Sequence, residues 1–230
     1  MRRSGHLVEV VRPPAFRRLL ATRLAGQFGD GVFQAGLAGT VLFNPERQAH
    51  AADVAAGFAV LLLPYSFIGP FAGVLLDRWW RQRVLVVANA GRALTVLAVA
   101  AEIAGGLGGA GFYASALVVL SISRFILSAL SASLPRVVAD GGLVTANAFT
   151  STAGTVATVL GGGAAIVARA VVGDTDAQYA AIAAAAAVPY LVAAAAAIPF
   201  PLRFLGPSEE ERRGRETPAQ VVRGLVAGAR

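Results

Sequence analysis

Six apolar runs divide this chain, approximately Leu19 to Phe43, Val54 to Leu76, Val84 to Ala104, Phe112 to Leu134, Thr145 to Ala168 and Tyr179 to Leu202. As a helix, a run of about 20 apolar residues matches the roughly 30 Å hydrocarbon core of a bilayer. No water reaches that core, so each backbone N–H and C=O must find its partner within the structure. Runs of this length are therefore expected to be helices, and the alternating pattern of an outer-membrane barrel is absent. The five connections are polar or glycine-rich and too short to hold another domain. The expected fold is all-α: a polytopic membrane protein with a cytoplasmic segment at 1–18, a six-helix bundle at 19–202 and a cytoplasmic linker at 203–230.

Composition agrees. Hydrophobic residues make up 56% of the 230 and charged residues 14%, where a soluble domain carries about a quarter charged. The sequence has no Cys and no Lys, and its two histidines, His6 and His50, lie outside the apolar runs. Disulfides, thiol nucleophiles, Cys-ligated metals, a P-loop lysine and Schiff-base chemistry are thereby excluded, and a histidine-based catalytic or metal site has little material. Neither an enzyme nor a cofactor is expected.

Arginines set the orientation. Fifteen of the twenty fall on one side: five before the first run, Arg78, Arg81 and Arg83 after the second, Arg136 after the fourth, and six in the last segment. Both termini are expected in the cytoplasm, with no cleaved signal. The net charge of +7 follows from this distribution and suits anionic lipid heads, so nucleic acid is not an expected partner. In the last segment Ser208 precedes Glu209, Glu210 and Glu211, and Thr217-Pro218 precedes an apolar stripe of Val221, Val222, Leu225 and Val226. That pattern predicts an amphipathic helix, either lying on the membrane surface or serving as a linker that leads into another span.

Gly73-Val-Leu75-Leu-Asp77-Arg78-Trp-Trp-Arg81-Gln-Arg83 joins the second and third runs. It resembles the loop signature of the major facilitator superfamily, in which Gly, a spaced Leu, Asp-Arg and a basic cluster join helices 2 and 3. It departs at Trp80, where the family usually has a small residue, and at Gln82, where a second base is expected. Arg124 followed by Ser128 resembles the family's helix 4 motif with Ser in place of Gly. Gly29-Asp30-Gly31, Gly69-Pro70-Phe71-Ala72-Gly73 and Arg124-Phe125 resemble the branch of enterobactin and macrolide exporters. The resemblance spans essentially the whole chain but only the amino-terminal six of the family's twelve helices, built as a 3+3 inverted repeat. It implies a secondary transporter of the plasma (inner) membrane that exports small molecules by alternating access, with proton coupling left open. The implied partners are a small-molecule substrate, membrane lipids, and either a carboxy-terminal six-helix half or a second copy. A non-transporting six-helix scaffold is the alternative.

Ionisable residues within a bilayer are costly and point to function. Asp30 lies eleven residues into the first run and Arg124 ten residues from the inner end of the fourth, both about 15 Å deep at ~1.5 Å per residue. Equal depth predicts a direct or water-bridged Asp30–Arg124 pair, with Gln27 beside Asp30 in a substrate or proton cavity. Arg92 is expected to snorkel or to pair with Asp77, and Glu102 to be interfacial. Gly73, Asp77, Arg78 and Arg81 are the expected gating loop, Asp77 accepting backbone amides at a helix N-terminus. Pro64 and Gly69-Pro70 predict a bend in the second run. In the fifth, Ala153, Ala157, Gly161 and Ala165 predict close helix packing.

Overall fold

The computed structural model describes residues 9–41, 75–107, 109–139, 141–172 and 175–208. Most of the second apolar run, with Gly73, Pro64 and Gly69-Pro70, lies outside these, as does the segment from Glu209 onward. The described residues are mainly helical, with no strand among them. They form α1 (Pro14–Val41), α2 (Arg81–Ala104), α3 (Ala110–Ser133), α4 (Leu143–Val172), α5 (Asp176–Ala185) and α6 (Ala187–Ala197), and a short 3₁₀ turn, Leu134–Arg136, follows α3.

Among the described residues, four stretches are long and apolar enough to cross a membrane: Arg81–Ala104, Ala110–Arg136, Leu143–Val171 and Asp176–Ala197. The 28-residue α1 is not among them and carries Arg17, Arg18, Arg23 and Asp30. The helices that open the apolar runs begin two to five residues earlier than those runs, and in α1, α2 and α5 the added first turn draws on polar or charged residues. At α5 the mechanism is visible: Thr175 and Gln178 form a reciprocal capping box, the Thr175 amide donating to Gln178 Oε1 at 2.7 Å. The sixth run is interrupted at Ala186. Pro189 lacks the N–H that would bond the Ala185 carbonyl, and its ring crowds that carbonyl. The next bond, from the Tyr190 amide to Ala186 O, is stretched to 3.4 Å.

α1 packs along α4 and against α5 and α6, while α2 packs against α3, α5 and α6. α1 and α4 approach to backbone contact: a Cβ added at Gly31 would collide with the Thr158 carbonyl oxygen, and one at Gly161 with that of Phe28. Only glycine permits this approach, which serves in place of a hydrophobic drive between helices in lipid. Gly161 belongs to the small-residue stripe predicted for this helix, and Ala165 on the same stripe is buried.

Two apolar clusters fill the interior. One gathers Phe33, Leu37, Val96, Val99, Ile103, Val119 and Ala183; the other gathers Phe16, Leu19, Leu85, Ile126, Leu130, Phe200 and Leu205. Along α1, α2 and α3 the switch from one cluster to the other falls at Asp30, at Asn89 and Arg92, and at Ser123. A polar layer separates the two cores.

Candidate functional site

The polar layer is built on one carboxylate. Asp30 of α1 is 6% exposed, and its Oδ1 accepts three hydrogen bonds: from Arg92 Nη1 at 2.8 Å, Ser123 Oγ at 2.7 Å and the Tyr190 hydroxyl at 3.1 Å. These donors come from α2, α3 and α6, so one oxygen ties four helices. Arg92 is 1% exposed. Its Nη1 also lies 2.9 Å from Ser123 Oγ, and its Nη2 donates to Asn89 Oδ1 at 2.7 Å. Asn89 Nδ2 is spent on the Leu85 carbonyl at 2.7 Å, which fixes the amide with its oxygen toward the guanidinium. The Arg92 guanidinium carbon lies 3.7 Å from the centre of the Tyr190 ring, so the same tyrosine stacks on the cation and donates to the anion. Asp30 Oδ2 takes no hydrogen bond among the described residues.

The electrostatics follow from burial. A lone charge here would be strongly disfavoured, whereas a hydrogen-bonded pair with a stacked aromatic face compensates both charges. Ser123 Oγ has one proton and two acceptors in reach, Asp30 Oδ1 and the Val119 carbonyl at 3.0 Å, so it can shift its donation along α3 without moving.

The expected Asp30–Arg124 pair is corrected: the guanidinium on Asp30 is that of Arg92. On α3 it is Ser123 that faces the carboxylate, and Arg124, one residue on, is rotated about 100° around the helix and half-buried. Arg92 therefore neither snorkels nor reaches Asp77. Gln27, one turn before Asp30, accepts from Arg23 Nε at 3.0 Å and lies over Gly154 of α4, and Arg23 Nη2 lies 3.5 Å from Ser151 Oγ. Asp30 and Gln27 thus belong to consecutive polar levels of α1 facing different helices. Glu102 accepts from Ser115 Oγ at 3.0 Å near the far end of α2.

At the opposite end, Asp77 Oδ1 is 3.7 Å from Arg81 Nη2. Arg81 is buried and donates from Nη1 to the carbonyls of Ala132 at 3.0 Å and Leu205 at 3.1 Å, while its amide donates to Gly206 O at 3.2 Å. The start of α2, the end of α3 and the segment after α6 are fastened by this one arginine. Arg78 is exposed in the turn before α2, and Gly73 lies outside the described residues.

Sequence reasoning missed Tyr190 and Ser123. A Pro-Tyr pair within an alanine-rich run was the available signal for Tyr190.

Two curated relatives are similar to this chain, each named as an uncharacterized MFS-type transporter, one from Mycobacterium bovis and one from Mycobacterium tuberculosis. Each is 45% identical over 219 residues, covering 94% of this chain and 49% of the relative. The chain spans about half the length of the curated relatives it matches. No family model and no solved structure matches it. The likeness supports membership of the major facilitator superfamily, and with the apolar helices it supports a multi-pass integral membrane protein.

Proposed function

We propose that this chain forms the amino-terminal six-helix half of a major facilitator-type secondary transporter, with the 3+3 inverted repeat of that fold, both ends of the half in the cytoplasm and the plasma membrane as its location. The observation that carries this reading is the 45% identity over 94% of the chain to proteins named MFS-type transporters. Coverage of 49% of each relative supports a half that works together with six further helices. Export of small molecules is the direction suggested by the wording of Gly29-Asp30-Gly31 and Arg124-Phe125.

Within this reading Asp30 is the carboxylate to which coupling is assigned, because Oδ2 takes no bond among the described residues while Oδ1 holds four helices together. Gln27 and Arg124 take part as neighbouring polar groups. The Asp77, Arg78 and Arg81 loop, with Gly73, acts as the gate at the arginine-rich end, since releasing Arg81 would free the end of α3 and the segment after α6 together.

The test needs no knowledge of the substrate. A cysteine introduced at Ser151, beside Arg23, should alternate between protected and accessible to a membrane-impermeant thiol reagent when a pH gradient is imposed on vesicles carrying the complete transporter. Everted vesicles should also accumulate at least one of a panel of fluorescent export substrates. Constant accessibility with no accumulation would favour the six-helix scaffold.

A further inference from the structure

On the outer side of α2, away from the Asp30 layer, lies a cavity of about 410 Å³ whose lining includes Arg78, Arg83, Trp79, Val84, Val87 and Phe125. Its two cations differ from Arg81 and Arg203 nearby. Arg81 is buried on carbonyls and Arg203 stacks on Trp80 at 5.2 Å, but the exposed side chains of Arg78 and Arg83 have no partner among the described residues. Trp79 is 52% exposed and edge-on to Phe125 at 6.4 Å.

An apolar track leads away from this cavity along α2. Val87 and Leu94 are 67% and 70% exposed, and with Arg83 they recur at spacings of four and seven, which places them on one helix face. Between them Gly91 has nothing within 4 Å of where its Cβ would be, so the face is notched at its midpoint. From Arg83 to Leu94 is eleven residues, about 16 Å at ~1.5 Å per residue, close to half of the roughly 30 Å hydrocarbon thickness. Cations with tryptophan at one end and a one-leaflet apolar track behind them fit a single kind of molecule.

We infer that this groove binds an anionic phospholipid of the leaflet at the arginine-rich end. Its phosphate lies between the Arg78 and Arg83 guanidinium groups, Trp79 lies at headgroup level, and one acyl chain runs over Val87, Gly91 and Leu94. The inference rests on α2 crossing the membrane, and its readout is lipid retention, which does not depend on the transport reading.

The test is native mass spectrometry of the full chain in detergent with phosphatidylglycerol or phosphatidylcholine of matched acyl chains at equal concentration. Phosphatidylglycerol should be retained preferentially. Arg78→Gln and Arg83→Gln should each lower its retention about fivefold, the effect of one basic residue near an anionic surface, and the double variant should bind both lipids alike. Gly91→Leu, which fills open space and should keep the helical content seen by circular dichroism, should lower retention of both lipids. Millimolar inorganic phosphate should not displace phosphatidylglycerol. Equal retention of the two lipids by the unaltered chain, unchanged selectivity in the double variant, no effect of Gly91→Leu, or displacement by phosphate would each overturn the proposal. A variant that loses helical content is replaced by Arg83→Ser or Gly91→Val, read in the same way.

Discussion

Asp30 on α1 and Arg92 on α2 form a buried ion pair at 2.8 Å, 62 residues apart in sequence, and Tyr190 both stacks on the cation and donates to the anion. Removing one member of such a pair strands the other, and the cost is about 3–5 kcal/mol, whereas removing both is much milder. Asp30→Asn and Arg92→Met should each lower the detergent-solubilised melting temperature strongly, and the double variant should recover part of that loss. Additive losses in the double-mutant cycle would show that the two charges are not energetically coupled.

Tyr190 separates two contributions. Tyr190→Phe keeps the ring over Arg92 and removes one hydrogen bond, an effect of about 1 kcal/mol. Tyr190→Leu also removes the cation–π contact, so its melting temperature should fall further than that of Tyr190→Phe. Equal losses would mean that the hydroxyl, not the ring, holds the cluster.

The loop at the other end is a hydrogen-bonded fastening more than a salt bridge. The Asp77–Arg81 contact at 3.7 Å involves a carboxylate that is 28% exposed, and a pair of that kind contributes about 0–1 kcal/mol. Asp77→Asn should therefore change stability little, and any effect it has should appear in accessibility of the arginine-rich side. Arg81→Gln should instead release the segment after α6, measured as faster tryptic cleavage at Arg203, while Arg83→Gln should leave that rate unchanged.

Topology can be checked on exposed positions of this Cys-free chain. Leu107 follows α2, and Phe204 lies near Gly206, which accepts from the first amide of α2. Cysteines placed at Leu107 and Phe204 should label from opposite faces of intact cells, Leu107 from outside. Labelling from one face would refute the orientation drawn from the arginines.

The sequence made the described helices legible, because they follow from runs and residue counts. It did not reveal which arginine meets Asp30. Depth is one coordinate of a position on a helix and azimuth is the other, and azimuth is decided by packing. Arg124 and Arg92 were both deep enough, and Ser123 rather than Arg124 faces inward by a single step of the helix. Tyr190 was obscured by its surroundings, a run of alanines that reads as packing, although Pro189 beside it carries the backbone signal. The capping box at Thr175 and Gln178 was fully written in the sequence, and the apolar run simply began after it.

Glycine packing of α1 on α4 should be the least forgiving contact in the bundle. Gly31→Leu or Gly161→Leu would drive a side chain into the facing carbonyl, and overpacking of this kind typically costs about 1–3 kcal/mol or more. Gly163→Leu, at a position with nothing within 4 Å, is the matched control and should fold normally. Equal yields of the three variants would show that the helices can separate.

That interlock has a mechanical meaning. Two helices whose backbones touch cannot slide or tilt independently without opening a void where no side chain exists to fill it, so α1 and α4 travel as a single strut. Compliance must come from elsewhere, and one joint in the described chain lies beside the polar layer: the interruption at Ala186, one turn from Tyr190. A swing at that joint would lift the tyrosine from Arg92 and from Asp30 in the same stroke, so the position of one ring would report the posture of the described bundle.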